Sequence, residues 1–169
     1  RDGDDARSGI GPLRAGRVTP IWRLPGPVTA LAWDHARDTL YAAAAAQRTV
    51  HALRVGAPAR LLARLPAACG APSALAADVE GRVWVALLDG WGIARLNEFG
   101  DVDATLALPA PRPTGLAFGG PALRTLFITT SRDGQTEDAA RHAPLSGRVF
   151  TLEMSAAGWA EPTSILDLG

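Results

Sequence analysis

Several residue types that usually indicate a protein's class are scarce in this sequence. One of its 169 residues is cysteine, Cys69, so no disulfide can form within the chain. Cysteine usage therefore does not indicate whether the protein's compartment is oxidising or reducing. Lysine is absent: all 17 basic residues are arginines, and 17 acidic residues balance them. The formal net charge of zero leaves no general attraction to nucleic acid or to an anionic membrane. No uncharged apolar run of 18 residues occurs, which argues against a membrane-spanning helix, and we expect a cytoplasmic location.

What the sequence does have is a unit that recurs three times. The units open with the similar strings VTALAWD, PSALAAD and PTGLAFG. The second residue of each unit bears a hydroxyl: Thr29, Ser73 and Thr114. These residues are 44 and 41 positions apart. An aromatic residue in the next apolar run recurs after 43 and 43 positions: Tyr41, Trp84 and Phe127. Repeats of ~40–45 residues that consist of short strands are typical of β-propeller blades.

The repeat predicts an all-β fold, a partial β-propeller of about three four-stranded blades forming a single unit over 1–169. The blades are expected at 28–65, 72–108 and 113–153. A strand within 12–24 would be the outer strand of a preceding blade, and residues 1–11 are expected to be disordered or the remnant of a loop. Three blades cannot close a ring, which usually takes four to eight. We therefore expect that the chain is a piece of something longer or that two copies associate.

The third unit carries an insertion. Leu126 and Val149 are 23 positions apart, against 10 from Leu40 to Val50. The extra residues are polar and contain glycine and proline, so we expect a loop on one face of the repeat. Three residues of this loop have the side chains of a catalytic triad: Ser131, Asp133 and His142. A triad needs a rigid scaffold, and no GxSxG string provides one here, so a solvated loop is the preferred interpretation.

Other polar and aromatic residues have simpler interpretations. Asp34 and Asp78 are expected to begin turns by bonding their own backbone. His35 and His51 have no second ligand at metal-binding spacing and are interpreted as structural. The alanine run at 42–46 is ambiguous, because alanine favours helix whereas the repeat requires a strand. The tryptophans are expected to pack between blades: Trp22, Trp33, Trp84, Trp91 and Trp159. Of these, Trp91 is the candidate for stacking on a ligand.

Longer strings carry a resemblance to a known family. PSALAADVEGRVWVALLDG, and LPAPRPTGLAFGGPALRTLFITTSR with APLSGRVFTLE after it, resemble the C-terminal half of the senescence-marker-protein, gluconolactonase and luciferin-regenerating-enzyme family, which includes regucalcin. The resemblance extends from about Gly16 to Glu153. It implies a six-bladed propeller that hydrolyses sugar lactones with one divalent metal, such as calcium, zinc or manganese, in its central channel. This chain would supply about three of the blades.

The resemblance also implies where a site would lie. The family's metal is held by a Glu of its first blade, an Asn in a string like NGLAWSPD and an Asp in a string like PDGLAVD; this Asp is also thought to activate water. The Asn position matches Thr29 and the Asp position matches Ser73. Hydroxyl oxygens are weak ligands for hard cations, so metal binding by this chain is expected to be weak or absent. Ser73 has no basic partner visible in the sequence.

Two functions stay open on these residues. One is a metal-dependent sugar-lactone hydrolase, in which Ser73 stands at the position of the catalytic base and Thr29 and Ser73 stand at metal-ligand positions. The other is a non-catalytic propeller scaffold that binds a small molecule or a protein. Under the second interpretation Thr29, Ser73 and Thr114 cap the innermost strands and line the channel.

Overall fold

A computed structural model describes residues 7–11, 13–14 and 17–160 of the chain, and about half of these residues lie in short antiparallel strands. The first sheet contains four strands: β5 (Ala30–Asp34), β6 (Thr39–Ala44), β7 (Thr49–Leu53) and β8 (Arg60–Arg64). The second sheet also contains four: β9 (Ala71–Ala77), β10 (Val83–Leu88), β11 (Gly92–Leu96) and β12 (Val102–Ala107). The third contains three: β13 (Pro113–Gly119), β14 (Thr125–Thr130) and β15 (Val149–Glu153). Each strand pairs with the next along the chain, so each sheet is a meander.

The N-terminal region adds a smaller sheet before these three. Strand β1 (Arg7–Ile10) pairs with β4 (Trp22–Pro25), and a hairpin of β2 (Leu13–Arg14) and β3 (Arg17–Val18) lies between them in sequence. The strand expected within 12–24 is therefore found near the end of that range. The expectation of a loop or disorder over residues 1–11 is wrong for 7–10, because β4 gives this segment an antiparallel partner; residues 1–6 lie outside the described part.

The alanine run forms a strand rather than a helix. Strand β6 ends at Ala44, and a 3-10 turn over Ala45–Gln47 follows. β6 pairs with β5 on one edge and with β7 on the other, which satisfies its backbone groups. Ala42, Ala43 and Ala44 are fully buried, and their small side chains allow neighbouring sheets to approach closely. Pairing and burial here outweigh the intrinsic helix preference of alanine.

The insertion in the third unit contains a short helix as well as loop. Helix α1 (Glu137–His142) begins after Thr136, whose Oγ1 accepts a hydrogen bond from the backbone N–H of Ala139 at 3.2 Å. Its first turn carries two acidic residues and its last turn two basic residues, which suits the helix dipole. The expected loop therefore contains one short helix, because a side-chain cap and charge placement are enough for about one and a half turns. None of the helices in the described ranges is both long and apolar enough to cross a membrane.

The hydrophobic core is divided among the spaces between sheets. One cluster joins the first and second sheets around Val50 and Val85, and another joins the second and third around Ile93 and Ile128. A third, around Leu24, joins the N-terminal sheet to the first. Strands β5, β9 and β13 lie next to one another, so the sheets are arranged side by side with these strands innermost. This arrangement is a partial β-propeller and confirms the predicted all-β class.

The turns between the first two strands of a sheet begin as predicted in the first and second sheets. Asp34 Oδ1 accepts hydrogen bonds from the backbone N–H groups of Ala36 and Arg37, at 3.1 and 3.2 Å. Asp78 Oδ1 accepts in the same way from the N–H groups of Glu80 and Arg82, at 3.0 and 2.9 Å. Asp78 Oδ2 also accepts from the indole of Trp84 at 2.9 Å, so the buried carboxylate fixes both the turn and the next strand.

The chain after β15 crosses the turn end of the second and third sheets. Gly158 bridges to Asp78, the N–H of Val79 donates to the carbonyl of Ala157 at 2.9 Å, and the N–H of Gly158 donates to the carbonyl of Leu123 at 2.8 Å. Trp159 then lies beside His35 of the first sheet, with ring centroids 5.5 Å apart. The outer strand that the sequence suggests near 165–168 lies outside the described residues.

Candidate functional site

Three hydroxyl residues lie at one end of the innermost strands. Thr29 immediately precedes β5, Ser73 lies near the start of β9, and Thr114 near the start of β13. In a meander the start of the first strand and the connection between the second and third strands are at the same end. The connection in the third sheet is the inserted segment, so this end carries both features that the sequence marks as candidates. We call Thr29, Ser73 and Thr114 the hydroxyl rim.

Two members of the hydroxyl rim occupy β-bulges. In the second sheet Ala74 pairs with Ala86 and Pro72 with Leu87, which leaves Ser73 as the extra residue. In the third sheet Gly115 pairs with Thr129 and Pro113 with Thr130, which leaves Thr114 as the extra residue. A bulge bends the strand locally and redirects a side chain, and bulges are frequent next to functional sites.

The hydroxyls of Thr29 and Ser73 link neighbouring sheets. Thr29 Oγ1 lies 3.3 Å from the carbonyl oxygen of Ala43 in its own sheet and 3.3 Å from that of Pro72 in the next. Ser73 Oγ lies 3.2 Å from the carbonyl of Ala86 and 2.7 Å from that of Pro113. In each case the second acceptor directly precedes the rim residue of the following sheet.

Thr114 has no such link to a further sheet within the described part of the chain. Its hydroxyl lies 3.1 Å from that of Thr129, in the adjacent strand of the same sheet. Thr114 is exposed, as is Thr29, whereas Ser73 is half-buried. Of the three hydroxyls in the rim, that of Ser73 therefore makes the shortest hydrogen bond to the backbone.

These contacts determine what the rim can do chemically. A hydroxyl donates one proton and keeps two lone pairs as acceptors. The protons of Thr29 and Ser73 are directed at carbonyls, so their oxygens remain able to accept hydrogen bonds from a ligand. Among the described residues Ser73 Oγ bonds to no imidazole or carboxylate, which leaves it without the partner that a general base or nucleophile requires.

The donor set does not fit a divalent cation. Calcium and similar ions prefer carboxylate and carbonyl oxygens, whereas Thr29 and Ser73 provide hydroxyls that donate to backbone carbonyls. Within residues 7–11, 13–14 and 17–160, no three or more His, Cys, Asp or Glu side chains come together in a way that could hold a metal ion.

An arginine that the sequence analysis missed joins the second sheet to the insertion near this end. Arg112 Nε lies 3.3 Å from Asp89 Oδ1, and Arg112 Nη1 donates to the carbonyl of Asp133 at 2.6 Å. Asp89 and Trp91 flank the tight turn between β10 and β11 and both have positive φ, 62° and 56°. Trp91 is 46 % exposed, so its ring is accessible, and ligand stacking there stays a prediction.

The three triad-like residues of the insertion are not arranged as a triad. Ser131 Oγ accepts from the backbone N–H of Asp133 at 2.9 Å, which is a local turn. His142 Nδ1 lies 2.8 Å from the carbonyl oxygen of Asp138, one helical turn earlier. Ser131, Asp133 and His142 share no side-chain hydrogen bond among the described residues, in agreement with the preferred interpretation of a solvated segment.

The tryptophans and histidines differ in how far they are buried. Trp22 and Trp84 are buried as expected, but Trp33 and Trp91 are exposed by 36 % and 46 %, so packing between blades does not describe them. Trp33 lies with Trp159 on a cavity of about 240 Å³ between the innermost strands. His51 is buried, and burial, with the positive charge of Arg64, lowers its pKa.

The fold places the chain in the class of β-propellers, and the hydroxyl rim is a candidate site at one end of the innermost strands. Comparison with known proteins identifies the family. The model of the SMP-30/Gluconolactonase/LRE-like region matches residues 16–132. The chain is 42 % identical over 93 residues to 6-deoxy-6-sulfogluconolactonase from Pseudomonas putida and 31 % identical over 106 residues to regucalcin from Xenopus laevis. These alignments cover 55 % and 62 % of this chain but 32 % and 36 % of the relatives.

Among solved structures, a calcium-binding regucalcin from Agrobacterium tumefaciens has the same fold, with a TM-score of 0.82 at 21 % identity. The match covers 97 % of this chain and 59 % of that protein. The chain belongs to the SMP-30/gluconolactonase/luciferin-regenerating-enzyme family, as the sequence resemblance predicts, and spans about a third of the curated relatives named above.

Proposed function

We propose that this chain is part of a sugar-lactone hydrolase and that the hydroxyl rim contacts the hydroxyl groups of the lactone. Family membership carries the proposal, because two thirds of the chain match a family that includes gluconolactonases. The rim suits a polyhydroxylated ligand, since Thr29 and Ser73 direct their protons to carbonyls and keep lone pairs for donors on the ligand.

Ser73 and Thr29 have a positioning role in this proposal. Ser73 stands where the family has its base, but without a basic partner it would accept a hydrogen bond from the substrate rather than a proton from water. A metal dependence like that of the family would need ligands from outside the described residues. The proposal therefore assigns this chain the binding of substrate and leaves the activation of water to other residues.

A second function, binding without catalysis, is supported by one observation. The positions that match the family's Asn and Asp carry Thr29 and Ser73, which bond to backbone carbonyls and to no acid or base in the described chain. The same rim would then hold a small molecule in a propeller scaffold. The two functions share the ligand contacts and differ in turnover.

One experiment separates the two functions. Gluconolactone is titrated into the chain by calorimetry, and acid release is followed in parallel, with EDTA or with calcium, manganese or zinc added. Saturable binding with acid release above the uncatalysed rate supports the hydrolase, and saturable binding without it supports the scaffold. Absence of saturable binding contradicts both.

Matched variants test the rim itself. Ser73→Ala removes an acceptor and should weaken lactone binding about two- to tenfold, the range of one hydrogen bond. Thr105→Ala removes a hydroxyl from an exposed position on β12 of the same sheet and should leave binding near that of the original chain. The double variant Thr29→Asn with Ser73→Asp restores the family's residue types and should gain calcium affinity; unchanged affinity would show that these positions do not face a metal site.

A further inference from the structure

A second cavity lies between the first and second sheets, at the end opposite the hydroxyl rim. Its volume is about 510 Å³, within the usual range for small-molecule sites. Its walls come from the β5–β6 turn, strands β6 and β7, and the loop into β8, and Glu98 of the β11–β12 turn contributes from the second sheet. The resemblance assigns no role to this end of the propeller.

Three arginines line this cavity, and two of them carry charge that no carboxylate neutralises within the described chain. They are Arg37, Arg54 and Arg60. Arg37 forms an ion pair with Asp34, its Nη1 lying 3.2 Å from Oδ2. Arg54 and Arg60 form no ion pair with a described acidic residue. Two guanidinium groups beside a cavity that are not engaged in an ion pair can attract an anion from solution.

Neighbouring groups hold the two uncompensated arginines in place. Arg54 Nε donates to Thr39 Oγ1 at 2.8 Å, and Thr39 is fully buried and donates to the carbonyl of Arg37 at 2.9 Å. Arg60 Nη2 lies 3.5 Å from the carbonyl oxygen of Glu98, across the boundary between the sheets. An arginine that is already positioned loses less side-chain entropy when it binds a ligand.

A tyrosine provides a further polar group in the wall of the cavity. Tyr41 lines the cavity, and the residue is 4 % exposed. A phenol hydroxyl can donate one hydrogen bond to a ligand. Burial raises the pKa of Tyr41, Asp34 adds to this effect, and the three arginines oppose it. The phenol therefore keeps its proton at neutral pH and is available as a donor.

We propose that this cavity binds a small organic anion whose carboxylate or phosphate group lies between Arg54 and Arg60 and accepts a hydrogen bond from Tyr41. The remaining wall is apolar, formed by Ala52 and the segment 57–59, and would receive the body of the ligand. Glu98 also lines the cavity, and its negative charge favours ligands with a single anionic group over polyanions. This site is independent of the lactone function proposed for the hydroxyl rim.

Calorimetric titration with phenyl phosphate, benzoate and inorganic phosphate tests the proposal, with benzyl alcohol as the uncharged control. We expect one molecule of an anion with an aromatic body to bind per chain, more tightly than inorganic phosphate, and benzyl alcohol to give no saturable heat. The stronger of phenyl phosphate and benzoate identifies the anionic group. Binding should weaken as salt is added, because the charges are partly exposed. Absence of saturable binding by all three anions would overturn the proposal.

Substitutions locate the binding. Arg54→Gln and Arg60→Gln should each weaken binding about tenfold, and Tyr41→Phe about two- to tenfold, as expected for charged and neutral hydrogen bonds. Arg148→Gln removes the same charge from an exposed position just before β15 and should leave the affinity unchanged. Arg54 and Arg60 are exposed in part, so their variants should fold, which thermal melting followed by circular dichroism verifies. Equal affinity of both arginine variants and the original chain would place the binding elsewhere and refute the proposal.

Discussion

The second and third sheets have similar strands but very different surroundings. Strand β10, central in the second sheet, is buried at five of its six residues, whereas β14, central in the third, alternates between buried and accessible residues. The second sheet packs against a neighbour on each face. The third packs on the second through Leu126 and Ile128, and within the described chain its other face has no neighbour. Strand β10 is therefore buried from both sides because a neighbouring sheet covers each face of the second sheet.

The uncovered face of the third sheet carries apolar side chains. Phe127 is 39 % exposed and Val149 is 62 % exposed. A blade buries such residues against the next blade, so this face is where additional blades or a second copy of the chain would pack. The expectation of missing blades or self-association stays a prediction, and substitutions on the two sheets can test it.

The largest expected difference in stability is between alanine variants at the aromatic residues of the two central strands. Trp84→Ala should lower the free energy of unfolding by about 3–5 kcal/mol, because it removes a buried indole that bonds to Asp78 and packs under Arg95. Phe127→Ala should cost about 1 kcal/mol or less, because its ring is partly exposed. Urea unfolding measures both. A cost for Phe127→Ala as large as that for Trp84→Ala would show that the third sheet's face is covered in solution.

A smaller difference is expected in how stability depends on pH, when a histidine of the first sheet is compared with one of the insertion. His51 in β7 is buried, and its pKa is lowered in the folded state, mainly by burial. The folded state therefore binds fewer protons than the unfolded state, so the contribution of His51 is complete above pH ~6.5 and is lost as the pH falls below it. Stability should decrease by at most ~1.4 kcal/mol per pH unit from this residue.

Denaturant unfolding at several pH values measures this effect. His51→Gln should make the decrease between about pH 7 and pH 5 shallower. His142→Gln, at an exposed position in the inserted segment, is the matched control for the loss of an imidazole. An unchanged pH dependence in the His51→Gln protein would show that His51 does not contribute to acid sensitivity.

The smallest expected difference in stability is between alanine variants of two hydroxyl residues at the same place in neighbouring sheets. Ser73→Ala should destabilise the fold by about 0.5–1.5 kcal/mol, because the hydroxyl bonds to Pro113 of the next sheet at 2.7 Å. Thr114→Ala should change stability by about 0.5 kcal/mol or less, since Thr114 is exposed and bonds within its own sheet. Thermal unfolding of both variants makes the comparison. Equal losses would indicate that Thr114 also links to a further sheet.

Much of the fold was predictable because it depends on local patterns. The repeat of apolar runs predicts short strands in the second unit, where the second sheet lies, and Asp34 and Asp78 predict turns because a short carboxylate bonds to the backbone two residues ahead. Helix α1 was missed because its signal is six residues long and lies in a polar insertion. Strand β1 was missed because its partner, β4, is separated from it by a hairpin and its own residues carry little apolar pattern.

The candidate site was predictable in its positions but not in its contacts. The hydroxyl rim follows from the repeat and the family strings, so Thr29, Ser73 and Thr114 were identified from sequence. Their bonds were not, because Thr29 and Ser73 reach carbonyls of the next sheet, 43 and 40 residues away. Arg112 was missed for the same reason, since its partner Asp89 lies on a turn of the preceding sheet.

The sequence by itself determined the class of fold, the strand order and the family, because apolar periodicity and turn chemistry act over a few residues and the motif strings are contiguous. Tertiary structure alone decided which faces are covered and where a second cavity forms. Arg54 and Arg60 lie at positions that no sequence pattern marks, and the pairing of β6, β7 and β8 brings them to one wall with Tyr41. Such a cavity arises from packing between sheets, which no local pattern encodes.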